Sequence, residues 1–255
     1  MNNPNILLKL VSSLPYDAVN VLRKSTSTLN NQIKVFETSN YYWVLKVEND
    51  FNLTIPIDQL EDWYSVYREI SMRGIYYLLY SWNINLFNIG LMNGLDPSAF
   101  NNDLIVYYAS SNGIEFVKLL LNDDRVDPSA RNNDALIQAC ISGNEEIVLL
   151  LINDKRIDLT ICGSKGLIQA SKHNHPNIVR ILLQDGRPDP SDVNNLALKI
   201  AARNGYMKVV DLLLRDGRID PSLDNNSTLT LAFKHCRWDI VELLLRDDRV
   251  RALYA

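Results

Sequence analysis

Along the C-terminal two-thirds of the chain, apolar residues come in paired short blocks separated by polar punctuation. In residues 135–151, ALIQACISGNEEIVLLL, the residues Leu136, Ala139 and Cys140 fall at helical spacing. This pattern predicts a short helix over 135–142, with Asp134 capping its first N–H groups. Gly143 and Asn144 stop it, because both tolerate the left-handed backbone of a helix end. A second helix follows. Glu145 and Glu146 meet the positive end of its dipole, and Ile147, Val148, Leu150 and Leu151 supply its buried stripe. Asn153 and Asp154 end it, and Asp158 opens a connecting loop. In neighbouring loops Pro128, Pro190 and Pro221 follow the aspartate and forbid further helix.

The whole block recurs. Asp123, Asp154, Asp185, Asp216 and Asp247 open equivalent Asp-x-Arg segments, each 31 residues from the next. A fixed period of this size means stacked supersecondary units rather than one globule around a central pocket. Five units begin near Phe100, Arg131, Cys162, Val193 and Asp224. Upstream, Asp96-Pro97-Ser98 precedes Asp127-Pro128-Ser129 by the same step, and residues 83–93 fill a second-helix slot. Residues 73–99 therefore read as a degenerate first repeat that shields the stack. In the last repeat Arg251 stands for the loop aspartate and Cys236 for the turn glycine. Lys234, His235 and Arg237 read as a polar cap, with truncation as the competing reading.

Helix, tight turn, longer helix and extended loop resemble an ankyrin repeat over roughly residues 69–255. The stretches that carry the likeness are ALIQACISGNEEIVLLL, ALKIAARNGYMKVVDLLL and TLTLAFKHCRWDIVELLL. The Arg-Val-Asp-Pro-Ser loop is similar to that of ankyrin proteins from giant amoeba-infecting viruses. The family's Thr-Pro-Leu-His signature is replaced here, by Leu104 to Val106, Ala135 to Ile137 or Ala197 to Lys199. Short turns in place of full β-hairpin fingers are the expectation. The implied fold is all-α, an ankyrin-repeat solenoid of 31-residue repeats over 73–255.

Residues 1–72 do not keep the period. Ile6, Leu7, Leu10, Val11, Val19, Leu22 and Ile33 recur at helical spacing and predict three short helices, about 5–13, 17–25 and 30–36. Pro4, the Leu14-Pro15 pair, Asp17 and Trp43 follow one another as in an F-box, which this segment resembles. Asn3 departs from the family's usual leucine there. The resemblance implies docking on the cullin adaptor Skp1 through Pro4, Ile6, Leu7, Leu14, Pro15, Leu22 and Trp43. Asn49-Asp50-Phe51 and Glu61 to Tyr64 are similar to the extension that follows the F-box in such viral proteins. Trp43 and Trp63 read as core of this unit, Trp82 as packing the degenerate repeat and Trp238 as partly exposed.

Composition narrows the chemistry. The net charge of −4 argues against nucleic acid as a partner, which calls for a basic surface. No apolar run is long enough to span a membrane, and no secretory leader precedes the first helix. Cys140, Cys162 and Cys236 are an odd set without motif spacing and fit a reducing compartment, so the expected location is cytoplasmic, with the nucleus as a second possibility. His173 and His175 read as turn residues rather than metal ligands, and His235-Cys236 as a turn rather than a catalytic pair. No metal, cofactor or catalytic residue is expected. The doubled asparagines read as compositional bias.

In ankyrin proteins the partner usually lies on a concave face of first helices and turns. On this chain the resemblance places that face at Tyr107, Gln138, Ile141, Gln169, Lys172, His173, Arg203, Asn204, Lys234 and His235, with Ser110, Ser111, Ser142, Ile200 and Leu231 beside them. Lys172, Arg203 and Lys234 fall in register, one per layer. A locally basic stripe facing an acidic protein segment is the sharper reading, and a merely solvated face the plainer one. The expected role is a monomeric adaptor, the substrate receptor of a Skp1–cullin–F-box ubiquitin ligase. The alternative is a repeat protein that sequesters or masks its partner.

Overall fold

A computed structural model of the chain describes residues 45–46, 48, 50–51, 53, 63–74 and 76–252. The helices expected over 5–13, 17–25 and 30–36, with Pro4, Ile6, Leu7, Leu14, Pro15, Leu22 and Trp43, lie outside these residues. The chain divides into two compact units, Met1–Pro97 and Ser98–Ala255. All secondary structure among the described residues is helical.

In the first unit, Lys46 is fully buried. An ammonium group alone in that position would cost several kcal/mol, roughly the penalty of any unpaired buried ion. Asp50, one turn on, takes it at 2.7 Å. The Tyr67 hydroxyl donates to the same carboxylate at 2.9 Å, and the Tyr67 ring stands 5.5 Å from Phe51. These contacts fasten Lys46, Asp50 and Phe51 to helix α1 (Trp63–Arg73). Helices α2 (Tyr77–Tyr80) and α3 (Ile84–Met92) then pair through Leu78, Leu79, Leu86, Phe87 and Ile89. The Asn83 side chain caps α3, accepting from the N–H groups of Asn85 and Leu86, and Asn93 closes it, so the helix fills the slot read from the sequence. Trp82 departs from expectation: it is 53% exposed.

The second unit is a stack of helix pairs: α4 (Ala99–Ser110) with α5 (Ile114–Leu121), α6 (Ala130–Ser142) with α7 (Glu145–Ile152), and α8 (Leu159–Lys172) with α9 (Pro176–Asp185). α10 (Asp192–Asn204) with α11 (Met207–Arg215) and α12 (Leu223–Lys234) with α13 (Trp238–Leu244) complete it, and α14 (Asp248–Arg251) follows. First helices pack on first helices and second helices on second helices, layer after layer. Leu136, Ala139, Cys140, Ile147, Val148 and Leu151 are all fully buried, as their spacing predicts. The tight turns within the pairs place Asn112, Gly143, Asn174, Gly205 and Cys236, each 31 residues apart, at positive φ.

The connections are where sequence reading fell short. Residues 100–102, 131–133, 193–195 and 224–226 each form three successive left-handed residues, with φ between 51° and 62°. Each triplet ends in Asn-Asn. Asparagine is the non-glycine residue that enters this region at least cost, so the doubled asparagines are structural and not a bias of composition. The third repeat carries Gly163-Ser164 at the same slot, and α8 runs through without a left-handed residue. Asp158 there caps α8, accepting from the Thr160 N–H, instead of opening a loop, because no proline follows it. Asp134 likewise differs from its expected role. It lies within the helical run, where its carboxylate accepts from Gln138 and pairs with Arg131 rather than capping N–H groups.

The Asp-x-Arg segments lock one layer to the one before. In Asp154-Lys155-Arg156 the aspartate holds the guanidinium through Nε at 2.9 Å and Nη2 at 2.6 Å. Fixed in this way, Arg156 donates to the Val126 and Leu121 carbonyls, 30 and 35 residues earlier. Arg187 reaches the Ile152 carbonyl, Arg218 those of Gly186 and Pro188, and Arg249 that of Ile219. An exposed ion pair alone contributes little. Here it orients a fork of donors onto carbonyls of the preceding layer: Leu121 and Ile152 end their second helices and lack a partner within them, and Val126, Pro188 and Ile219 lie in the loops beyond. Asp127, Asp189 and Asp220 then close the loop by accepting from both the N–H and the hydroxyl of the serine two residues on. At three of the four triplets the last residue adds another joint. Asn102 accepts from the Asp127 N–H, Asn195 donates to the Asp220 carbonyl and Asn226 to that of Val250, while Ser164 accepts from the Asp189 N–H.

Candidate functional site

The last turns of the first helices and the turns that follow carry the residues expected to meet a partner. Tyr107, Gln138, Ile141, Gln169 and Asn204 are half-buried, and Lys172, His173, Arg203, Lys234 and His235 are exposed. The helix-to-helix turn fixes their spacing. Asn144 donates to the Ala109 carbonyl at 2.6 Å, His175 Nε2 meets the Ile141 carbonyl at 2.9 Å, and Arg237 donates to the Arg203 carbonyl at 3.1 Å. These three stand at one register slot, so each tethers its own turn to the first helix of the preceding layer. His175 is thereby a structural turn residue, and its ring lies 6.4 Å from that of His173.

Charge pairing separates this face from the loops. Arg125, Arg156, Arg187, Arg218 and Arg249 are each held by an aspartate. Asp123, Asp154, Asp185 and Asp247 are in turn pulled below the usual carboxylate range by the guanidinium each one holds. Lys172, Arg203 and Lys234 form no ion pair among the described residues. Each lies in the last turn of its helix, where a cation suits the negative end of the dipole.

The remaining reactive groups are accounted for. Burial pushes the Cys140 thiol up, and Cys162 likewise to about 11. Both therefore stay protonated at neutral pH and are poor nucleophiles. Cys236 is exposed in the turn, at φ 55°. Among the described residues no group of three or more His, Cys, Asp or Glu side chains is placed to hold a metal ion. No helix among them is long and apolar enough to cross a membrane. Sequence reading missed the arginine forks and the exposed Phe233, whose ring meets Trp238; the exposure of Trp238 itself was expected. The second had a visible signal, since Phe233 replaces Ala109, Cys140, Ser171 and Ala202 at the matching position of earlier repeats.

Helix pairs stacked at a 31-residue period and joined by loops of one plan, the third repeat departing from it, define a repeat solenoid. The family described as "Ankyrin repeats (3 copies)" matches residues 75–162 and 167–252, and the chain belongs to it. No curated protein matches the chain. Ankyrin repeats are protein–protein interaction modules and generally serve as non-enzymatic scaffolds.

Proposed function

We propose that the protein holds an acidic segment of a target protein against the first-helix face and presents that target to a second component bound by its N-terminal unit. The observation that carries the target site is the register of Lys172, Arg203 and Lys234, which have no ion partner among the described residues, set against the loop arginines Arg125, Arg156, Arg187, Arg218 and Arg249, each held by an acid. Three cations at one slot of successive layers give a field that a carboxylate-rich segment follows along the stack. Replacing all three with glutamate is expected to abolish capture of the target while leaving the melting temperature within a few degrees of wild type. Capture that survives the triple change removes the stripe from the reading.

For the second component, the F-box-like order of Pro4, Leu14-Pro15 and Trp43 supports Skp1. In this reading residues 1–72 form the docking unit and 73–255 the repeat array of a ubiquitin-ligase substrate receptor of the giant amoeba-virus type, acting as a monomer in the host cytoplasm. It contributes proximity, raising the local concentration of target near the ligase, and performs no chemistry itself. Full-length protein is expected to co-elute with Skp1, and Pro15→Ala with Trp43→Ala to abolish co-elution. Absence of a complex with the unaltered chain leaves sequestration of the target as the function.

A further inference from the structure

In the first four layers of the second unit, one first-helix slot holds a small, fully buried residue: Ala109, Cys140, Ser171 and Ala202. The next layer closes on it. A Cβ built on Gly166 would stand 3.2 Å from the Cys140 sulfur. The last layer instead places Phe233 there, 60% exposed. Its ring meets Trp238, itself 57% exposed, edge-on at 5.2 Å. Beside Trp238 lies a cleft of about 220 Å³ lined by Gly205, Met207, Cys236, Arg237 and Asp239. That is below the ~300 Å³ at which small-molecule sites begin, and suits a single side chain.

The surroundings choose the occupant. Arg203 and Lys234 lie two residues before the cleft residues Gly205 and Cys236, both exposed. Neither they nor Arg237 form an ion pair among the described residues, although Asp239 is an acid in the lining. A second copy meeting this face head-on would set the same cations against one another, so charge favours an acidic partner over self-association.

We propose that this layer is the anchor of the target site, taking one bulky apolar side chain flanked by acidic residues. The side chain enters the cleft against Trp238, whose ring Phe233 backs, and its neighbouring carboxylates meet Lys234 and Arg203. This rests on the first-helix reading above and adds where the target is pinned and what it must carry.

The test titrates the full chain into a short fluorescein-labelled peptide of aspartates and glutamates with one central leucine, and into the same peptide with alanine at the centre, following anisotropy. The leucine peptide is expected to bind about tenfold or more tightly than the alanine peptide, the value of burying one such side chain. Trp238→Ala is expected to erase that difference without lowering the melting temperature. Equal binding of both peptides, lost in the Lys172, Arg203 and Lys234 charge reversal, overturns the anchor and keeps the stripe. No binding of either peptide overturns both. A dimer of the unaltered chain that Trp238→Ala dissociates in sedimentation makes this face a self-contact, and the anchor falls.

Discussion

At residue 193 a β-branched side chain occupies backbone that asparagine enters at lower cost. Val193 sits at φ 51°, ψ 46°, first of its left-handed triplet, and is 60% exposed. Burial contributes little there, while the clash between Cβ and the neighbouring carbonyl persists. Val193→Asn is expected to raise stability by about 1 kcal/mol, read from the urea midpoint. Val193→Gly relieves the same clash but loosens the unfolded chain, so it gains less. A lowered midpoint for both would mean that this turn is not left-handed in solution.

Among the elements, α8 shows how one departure from the repeat consensus propagates. Gly163 replaces the first asparagine of the doublet, and the helix continues through it into contact with the next loop. A Cβ at 163 would stand 2.6 Å from Pro188 Cγ and 3.3 Å from its Cα. Glycine to alanine inside a helix ordinarily gains up to ~1 kcal/mol. Overpacking against a rigid ring costs about 1–3 kcal/mol and prevails. Gly163→Ala is therefore expected to destabilise. Gly166→Ala, whose Cβ would meet the Cys140 sulfur at 3.2 Å and Leu182 at 3.7 Å, is expected to be neutral or mildly stabilising, as alanine already fills that slot at 135 and 197. Comparing the two denaturation midpoints checks this ordering. The helices themselves were legible because apolar spacing records which face is buried. The second-helix slot over 83–93 and the turn role of Cys236 came from period alone. The connections were not legible. An asparagine doublet states a tolerance for positive φ, but only neighbouring backbone shows that it is used. The reach of Arg156 to carbonyls 30 and 35 residues back depends on how layers stack, which no local pattern encodes. For the candidate site, the register of Lys172, Arg203 and Lys234 was readable from the sequence, whereas the absence of ion partners around them among the described residues was not.

For the stacked unit as a whole, stability is a sum of layers and the joints between them. The arginine forks place similar joints at successive interfaces, each held in shape by an aspartate. Because Asp123, Asp154, Asp185 and Asp247 titrate below the ordinary value of 3.8, the unfolded chain binds more protons than the folded one as pH falls. Their stabilisation is thus present in full above that value and is lost as pH drops through the lower folded range. Thermal melts followed by circular dichroism should be flat from about pH 7 to 5 and fall steeply below about pH 4. Acid weakens several joints together, so the transition should stay single. Arg156→Ala weakens one joint in the middle of the array, leaving the Val126 and Leu121 carbonyls without their donor. It should cost about 1–3 kcal/mol at neutral pH, broaden or split the melt, and lose less than wild type on acidification. Arg180→Ala removes an exposed cation with no ion partner among the described residues, and should shift stability by no more than about 0.5 kcal/mol. If Arg156→Ala and Arg180→Ala melt alike at both pH values, the forks do not join the layers, and the stack is held by its apolar faces alone.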